Sequence, residues 1–174
     1  MKPHVITGGP GVGKTTVLEL LSAYKYATVP ETARAVIEEE TIKDSDMLSW
    51  KNLVKFQEEV AKRQLQAEQS TRSKITFLDR SLIDGYAYCA LGKVQPPEII
   101  LQHGRSRYGK VFLLEPLDVY VTDRARAEDR ELAYVIHNEI SKSYSFFGYD
   151  LIKVPVFLPE KRVEFIIGHL TEDK

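Results

Sequence analysis

The sequence predicts an α/β fold, a three-layer αβα arrangement in which helices cover both faces of a five-stranded parallel sheet. Two observations carry that prediction. Short β-branched or aromatic runs alternate along the chain with longer amphipathic stretches, the pattern of a parallel sheet whose crossovers are helices. In addition, a glycine-rich stretch stands directly between the first apolar run and the first amphipathic one. A phosphate-binding loop occupies that position in such a fold.

Taken in order, HVIT reads as the first strand, GGPGVGKTT as the loop and VLELLSAY as the first helix. YATVP is a short second strand leading into the helical ETARAVIEEE. The polar stretch Thr41 to Ser49 reads as a loop, and Trp50 to about Gln69 as a long helix with Leu53, Phe56 and Val60 on one face. KITFLD is the third strand, followed by Asp79-Arg80-Ser81 and a helix over Leu82 to Leu91. Pro96 and Pro97 open a short helix that Gly104 closes. The near-continuous apolarity of KVFLLE suits a fourth strand buried on both faces. After the charged segment Asp123 to Glu131, Leu132, Val135, Ile136, Ile140 and Phe147 recur at helical spacing, with Gly148 as the C-cap. DLIKVPV is the fifth strand, and Pro159 opens a last helix running toward Leu170.

At 174 residues the chain is expected to form one domain over residues 1–174. Its composition, 43% hydrophobic and 28% charged, excludes a disordered or collagen-like chain. A formal charge of −1 supplies no overall pull toward nucleic acid or anionic lipid, so any anion site must be built locally. Cys89 is the single cysteine, and the four histidines are too scattered for a zinc spacing. With no run of about 18 apolar residues and no signal-like start, no membrane span is expected and a cytoplasmic location is.

The residues Gly8, Gly9, Pro10, Gly11, Val12, Gly13, Lys14 and Thr15 satisfy G-x-x-x-x-G-K-[ST] in full, and Thr16 continues into the helix. Glycines permit a tight loop whose N–H groups converge on phosphate oxygens, and the helix dipole adds positive potential. Lys14 would bridge the β- and γ-phosphates, and Thr15 would offer its hydroxyl to Mg²⁺. Asp79 ends the third strand, where a second magnesium partner is expected; as a helix-start carboxylate it would merely favour the dipole. Arg80 could reach a phosphate or pair with Asp79. Asp84 fits a capping box with Ser81 at least as well as a substrate contact.

Glu31 follows the second strand, where it could accept the proton of an attacking hydroxyl. Arg34, three residues on, would share its helix face and hold an anionic acceptor or pair with Glu31. Arg124, Arg126 and Arg130 lie in a segment of about 123–131, a candidate arginine lid over the transferring phosphate; a self-paired charged helix is the plainer alternative. Gln57 and Gln64, seven apart on the long helix, could line an acceptor pocket, although most such glutamines are surface residues. Arg105 and Arg107 lack the aromatic interleaving of a nucleic-acid site.

Together these motifs resemble the small P-loop ATPase or kinase-like family that includes the ribosylnicotinamide kinase domain of the bifunctional NAD regulators. The resemblance is carried by GGPGVGKTT, VPETAR, FLDRSLIDGYAY, VFLLEP and VPV with EKRVEFI, and spans nearly the whole chain. It implies a P-loop NTPase sheet ordered 2-3-1-4-5. The chain is also similar to deoxynucleoside kinases, which implies Glu31 as base, Asp79 at the magnesium position and Arg80 as a phosphate contact. The implied reaction moves the γ-phosphate of ATP, or of GTP, to a hydroxyl of a small nucleoside-like metabolite with Mg²⁺ as cofactor. An NTP-hydrolysing switch that recruits a partner is the alternative, though the chain has no N-K-x-D guanine-reading element. The sequence leaves the oligomeric state open.

Overall fold

The computed structural model of the chain describes residues 2–42, 48, 50–71, 73–117 and 130–171. Its strands are β1 (His4–Thr7), β2 (Ala27–Val29), β3 (Thr76–Asp79), β4 (Val111–Leu114) and β5 (Leu151–Val154). Helices α1 (Lys14–Ala23), α2 (Thr32–Ile42), α3 (Leu53–Ser70), α4 (Leu82–Leu91), α5 (Glu98–His103), α6 (Arg130–Phe146) and α7 (Pro159–Thr171) connect and follow them. All strand pairs are parallel, in the order β2-β3-β1-β4-β5. β3 and β4 are buried at every residue, whereas the edges β2 and β5 are only partly so.

Because successive strand side chains alternate between faces, the apolar runs feed two cores. Val5, Leu78, Val111 and Leu113 point to one face, where they meet Ala61 and Leu65 of α3, Ile83 and Ala87 of α4, and Ile136 and Ile140 of α6. Ile6, Phe77, Phe112 and Leu114 point to the other, against Val17, Leu18 and Leu21 of α1 and Val163 and Ile166 of α7. Each such aliphatic or aromatic side chain stabilises the fold by roughly 1.5–3 kcal/mol on full burial. The two cores are the contacts that make the three layers.

Some boundaries and faces differ from the sequence expectation. α1 already begins at Lys14, inside the glycine-rich motif. α2 runs on to Ile42, past the start of the expected loop, most of which lies outside the described residues. α3 starts at Leu53, not Trp50, because Asn52 caps it by accepting a hydrogen bond from Lys55 N at 3.1 Å. Trp50 is left 65% exposed. On α6, Leu132 and Val135 face outward, and the buried stripe is Ala133, Ile136, His137, Ile140, Ser143 and Tyr144. Ile136, Ile140 and Phe147 are buried as the spacing predicts; Leu132 and Val135 fall off that row, and His137 and Tyr144 lie on it with polar partners at the crevice.

Candidate active site

The C-terminal ends of β1, β2, β3 and β4 open on one crevice, as expected in a parallel sheet whose order reverses beside β1. From β1 the chain enters the glycine loop. Gly8, Gly11 and Gly13 have φ of 138°, 74° and 90°, conformations that side-chain-bearing residues rarely adopt. A Cβ on Gly8 would also lie 2.9 Å from the Leu114 carbonyl oxygen of β4. The N-cap of α1, Gly13, provides no side-chain cap, so the first N–H groups of that helix remain available to an anion. Lys14 is buried, with its Nζ donating to the carbonyls of Gly8 at 3.1 Å and Gly9 at 2.8 Å. Thr15 and Thr16 are exposed at the head of α1.

β3 lies beside β1, with Asp79 in register with Ile6. Asp79 is buried, and its Oδ1 has no hydrogen-bond partner among the described residues. Burial raises its pKa from 3.8 to about 6, with Lys14 opposing the shift and Glu31 adding to it. The orphaned carboxylate oxygen of Asp79 and the hydroxyl of Thr15 are hard oxygen donors of the kind that suits Mg²⁺. Among the described residues no cluster of three or more acidic, His or Cys side chains forms a dedicated metal cage. An ion here would draw its remaining ligands from phosphate and water.

Arg80 is the hub. It has φ 68°, an uncommon conformation for a side-chain-bearing residue, held by its N–H donating to Ile6 O at 3.0 Å. Its Nε donates to Glu31 at 2.9 Å and its Nη1 to Asp84 at 3.1 Å. Among the described residues, Arg80 thus pairs with Glu31. Arg34 is exposed at the rim of the cavity described below.

Asp84 closes a capping box with Ser81, its Oδ2 accepting from Ser81 N at 2.9 Å. The same carboxylate accepts from Thr7 Oγ1 at 2.6 Å and Tyr144 OH at 2.6 Å. With Arg80, four donors meet two oxygens, which uses the lone pairs of the carboxylate. Burial and the adjacent Asp84 charge push the Tyr144 hydroxyl well above its ordinary pKa, so it stays protonated and donates. Ser81 Oγ, 2.7 Å away, must then donate to Tyr144.

Beside this hub a cavity of about 560 Å³ opens between α2, α3 and α4. Glu31, Asp79, Arg80 and Asp84 lie at its polar end, and Ile37, Trp50, Leu53, Phe56, Val60 and Tyr88 contribute apolar and aromatic walls. Gln57 and Gln64, read from the sequence as candidate pocket residues with the surface as the plainer alternative, are buried on its wall. Gln64 Oε1 accepts from Thr32 Oγ1 at 2.6 Å, linking α3 to α2 beside Glu31. Arg124 and Arg126 lie outside the described residues. Arg130 is exposed at the start of α6, bordering a small crevice against Pro10, Gly11 and Val12.

Three crevice residues escaped the sequence reading. Arg162 of α7 is buried and donates to the carbonyls of Val12 at 2.6 Å, Glu115 at 3.0 Å and Pro155 at 3.0 Å, tying the loop to the ends of β4 and β5. His137 Nδ1 accepts from Gly9 N at 3.2 Å. Tyr144 holds Asp84. A sequence signal existed: each is a polar-headed residue one turn from a buried aliphatic, Arg162 before Ile166, His137 before Ile140 and Tyr144 after Ile140.

The backbone is similar to that of NadR protein in complex with NR, with a TM-score of 0.71 and 21% identity, covering 98% of this chain and 51% of that one. The chain therefore spans about half the length of that protein. Deoxyadenosine kinase from M. mycoides is similar with its products dCMP and a flexible dCDP bound, at TM-score 0.63 and 18% identity over 97% of this chain and 98% of that one. With dATP bound, the corresponding values are 0.64, 16%, 99% and 100%. Identities this low establish the fold. No curated protein matches the chain. The sequence model of the family described as AAA domain matches residues 3–162, nearly the whole length, and the chain belongs to that family, on a P-loop kinase-like scaffold.

Proposed function

We propose that the chain is a phosphotransferase that moves the γ-phosphate of ATP to a hydroxyl of a small, nucleoside-like acceptor. One observation carries this reading: the 560 Å³ cavity abuts Glu31, Asp79 and Arg80 on the same side of the crevice as the phosphate loop. Its volume falls in the range of about 300–1,000 Å³ typical of small-molecule sites. An NTP-dependent switch would not require a largely apolar cavity against its carboxylates. The aromatic walls and two buried amides suit a flat, hydrogen-bonding ring on a sugar. The solved structures holding NR, dATP, dCMP and dCDP support an acceptor of that class.

In this reading the N–H groups of residues 11–16 and the Lys14 ammonium hold the triphosphate in line with the cavity. Positioning of this kind supplies most of the catalysis in phosphoryl transfer. Mg²⁺, held through Thr15 and Asp79, would neutralise charge on the phosphate oxygens. Glu31 accepts the proton of the acceptor hydroxyl; Asp84, with its lone pairs committed to four donors, instead holds Arg80. Arg80 then orients Glu31 and offers a guanidinium to the transferring phosphate. Arg34, Gln57 and Gln64 contact the acceptor.

The test is a screen of nucleosides, vitamins and sugars with Mg·ATP, scored as acceptor-dependent ADP release. A nucleoside-like acceptor should raise release above the acceptor-free rate, and failure of every acceptor would sink the reading. With an acceptor in hand, Glu31→Gln should lower kcat by about 10²–10⁴-fold, the range for loss of a general base, with ATP affinity nearly unchanged. Undiminished turnover would remove Glu31 from its role.

A further inference from the structure

His137 lies outside the acceptor cavity yet touches the phosphate loop. It sits on the inner face of α6, 6% exposed, and its Nδ1 accepts the hydrogen bond of Gly9 N at 3.2 Å. The approach is close in the backbone as well. A Cβ on Gly9 would fall 2.8 Å from Ala133 O and 3.0 Å from His137 Cβ, so a residue with a side chain at position 9 would push the loop and α6 apart. A ring nitrogen that accepts carries no proton, which places the single proton of neutral His137 on Nε2.

We propose that His137 is a positioning residue whose neutral Nδ1 anchors the Gly9 end of the phosphate loop to α6, holding the loop in the shape that receives a triphosphate. The inference rests on the nucleotide-binding reading for its function and on the Gly9 contact for its geometry. A backbone N–H buried at this junction needs an acceptor, and without one it costs the loop its preferred conformation. Neighbouring charges support the neutral form. Burial lowers the pKa of His137 from its ordinary value; Lys14 at the head of α1 and Lys153 on β5 lower it further, and Glu115 after β4 opposes them. On α6 itself, Arg130 and Tyr134 border the same small crevice. Once protonated, the ring presents an N–H to an N–H, and the anchor is lost.

Two measurements on the full chain test this. The first needs no ligand: the exchange rate of the Gly9 amide by NMR in the parent, in His137→Leu and in His137→Asn, whose Oδ1 can replace the Nδ1 acceptor but does not titrate. Loss of one net hydrogen bond predicts exchange about fivefold to tenfold faster in H137L, with protection regained in H137N. The second is the Kd of a non-hydrolysable ATP analogue with Mg²⁺ from about pH 8 to about pH 5. H137L should bind about fivefold to tenfold more weakly than the parent at the upper end. The ratio of parent Kd to H137N Kd, in which protonation of the nucleotide cancels, should be flat at the upper end and rise as His137 protonates. Unaltered Gly9 exchange in H137L, or a flat ratio, would overturn this inference while leaving the kinase reading intact. A parent protein that binds no nucleotide would overturn the kinase reading and, with it, the role assigned to the anchor, even if Gly9 remained protected.

Discussion

Asp79 places a carboxylate where the chain alone gives it little support. It is buried, Oδ1 lacks a hydrogen-bond partner among the described residues, and the pKa is raised from 3.8 to about 6. A group whose folded pKa lies above its unfolded value contributes stability that is fully present below the unfolded pKa and is lost as pH rises through the folded one. In chelator, wild-type stability should therefore fall relative to Asp79→Asn by about 1 kcal/mol between about pH 5 and about pH 7.5. Urea unfolding of both proteins at the two pH values checks this. A constant difference would mean that Asp79 is not the strained group described. The neighbouring Asp84 illustrates the opposite design: four donors satisfy it, among them the Arg80 guanidinium that it holds in place.

At the scale of elements, glycines of similar sequence context have opposite roles. Gly148 follows α6 with φ 84°, and Tyr149 N donates to Tyr144 O at 3.0 Å across the cap. Gly148→Ala should destabilise the protein by about 1 kcal/mol through left-handed strain, since a Cβ there meets no atom within 4 Å. Gly168 lies inside α7 with equally open space and no positive φ. Gly168→Ala should stabilise by about 0.5–1 kcal/mol through helix propensity. Thermal midpoints of the two variants should move in opposite directions; a shared sign would contradict the backbone assignments. Helix ends and turns of this sort were legible because their chemistry is local: Gly148 was read as a cap from position alone. Asn52 was missed because Trp50 extended the apparent apolar pattern, although its ring remains exposed.

For the molecule as a whole, the crevice joins segments that are distant in sequence, so occupancy should be felt as global stability. A ligand bound to the native state at about one hundred times its Kd adds about 2.7 kcal/mol. For a chain of this size that corresponds to a rise of about 5–10 °C in Tm. Mg·ATP should produce such a shift in the parent protein and little in Lys14→Ala, measured by calorimetry. An equal shift in both would remove Lys14 from the phosphate site.

What the sequence determined by itself was whatever is encoded within a few neighbours: five strand-forming runs, the helices between them, the glycine loop and the carboxylates at the ends of β2 and β3. Those signals are short-range steric and hydrophobic preferences. Tertiary structure alone decided that Arg80 pairs with Glu31, why Gln57 and Gln64 are buried, and that Arg162, His137 and Tyr144 brace the crevice. The His137–Gly9 bond spans 128 residues and the Arg162–Val12 bond 150. A polar side chain within an apolar stripe announces that it needs a partner, but the partner exists only once both cores have closed on the sheet and brought distant strand ends and helices to the same crevice.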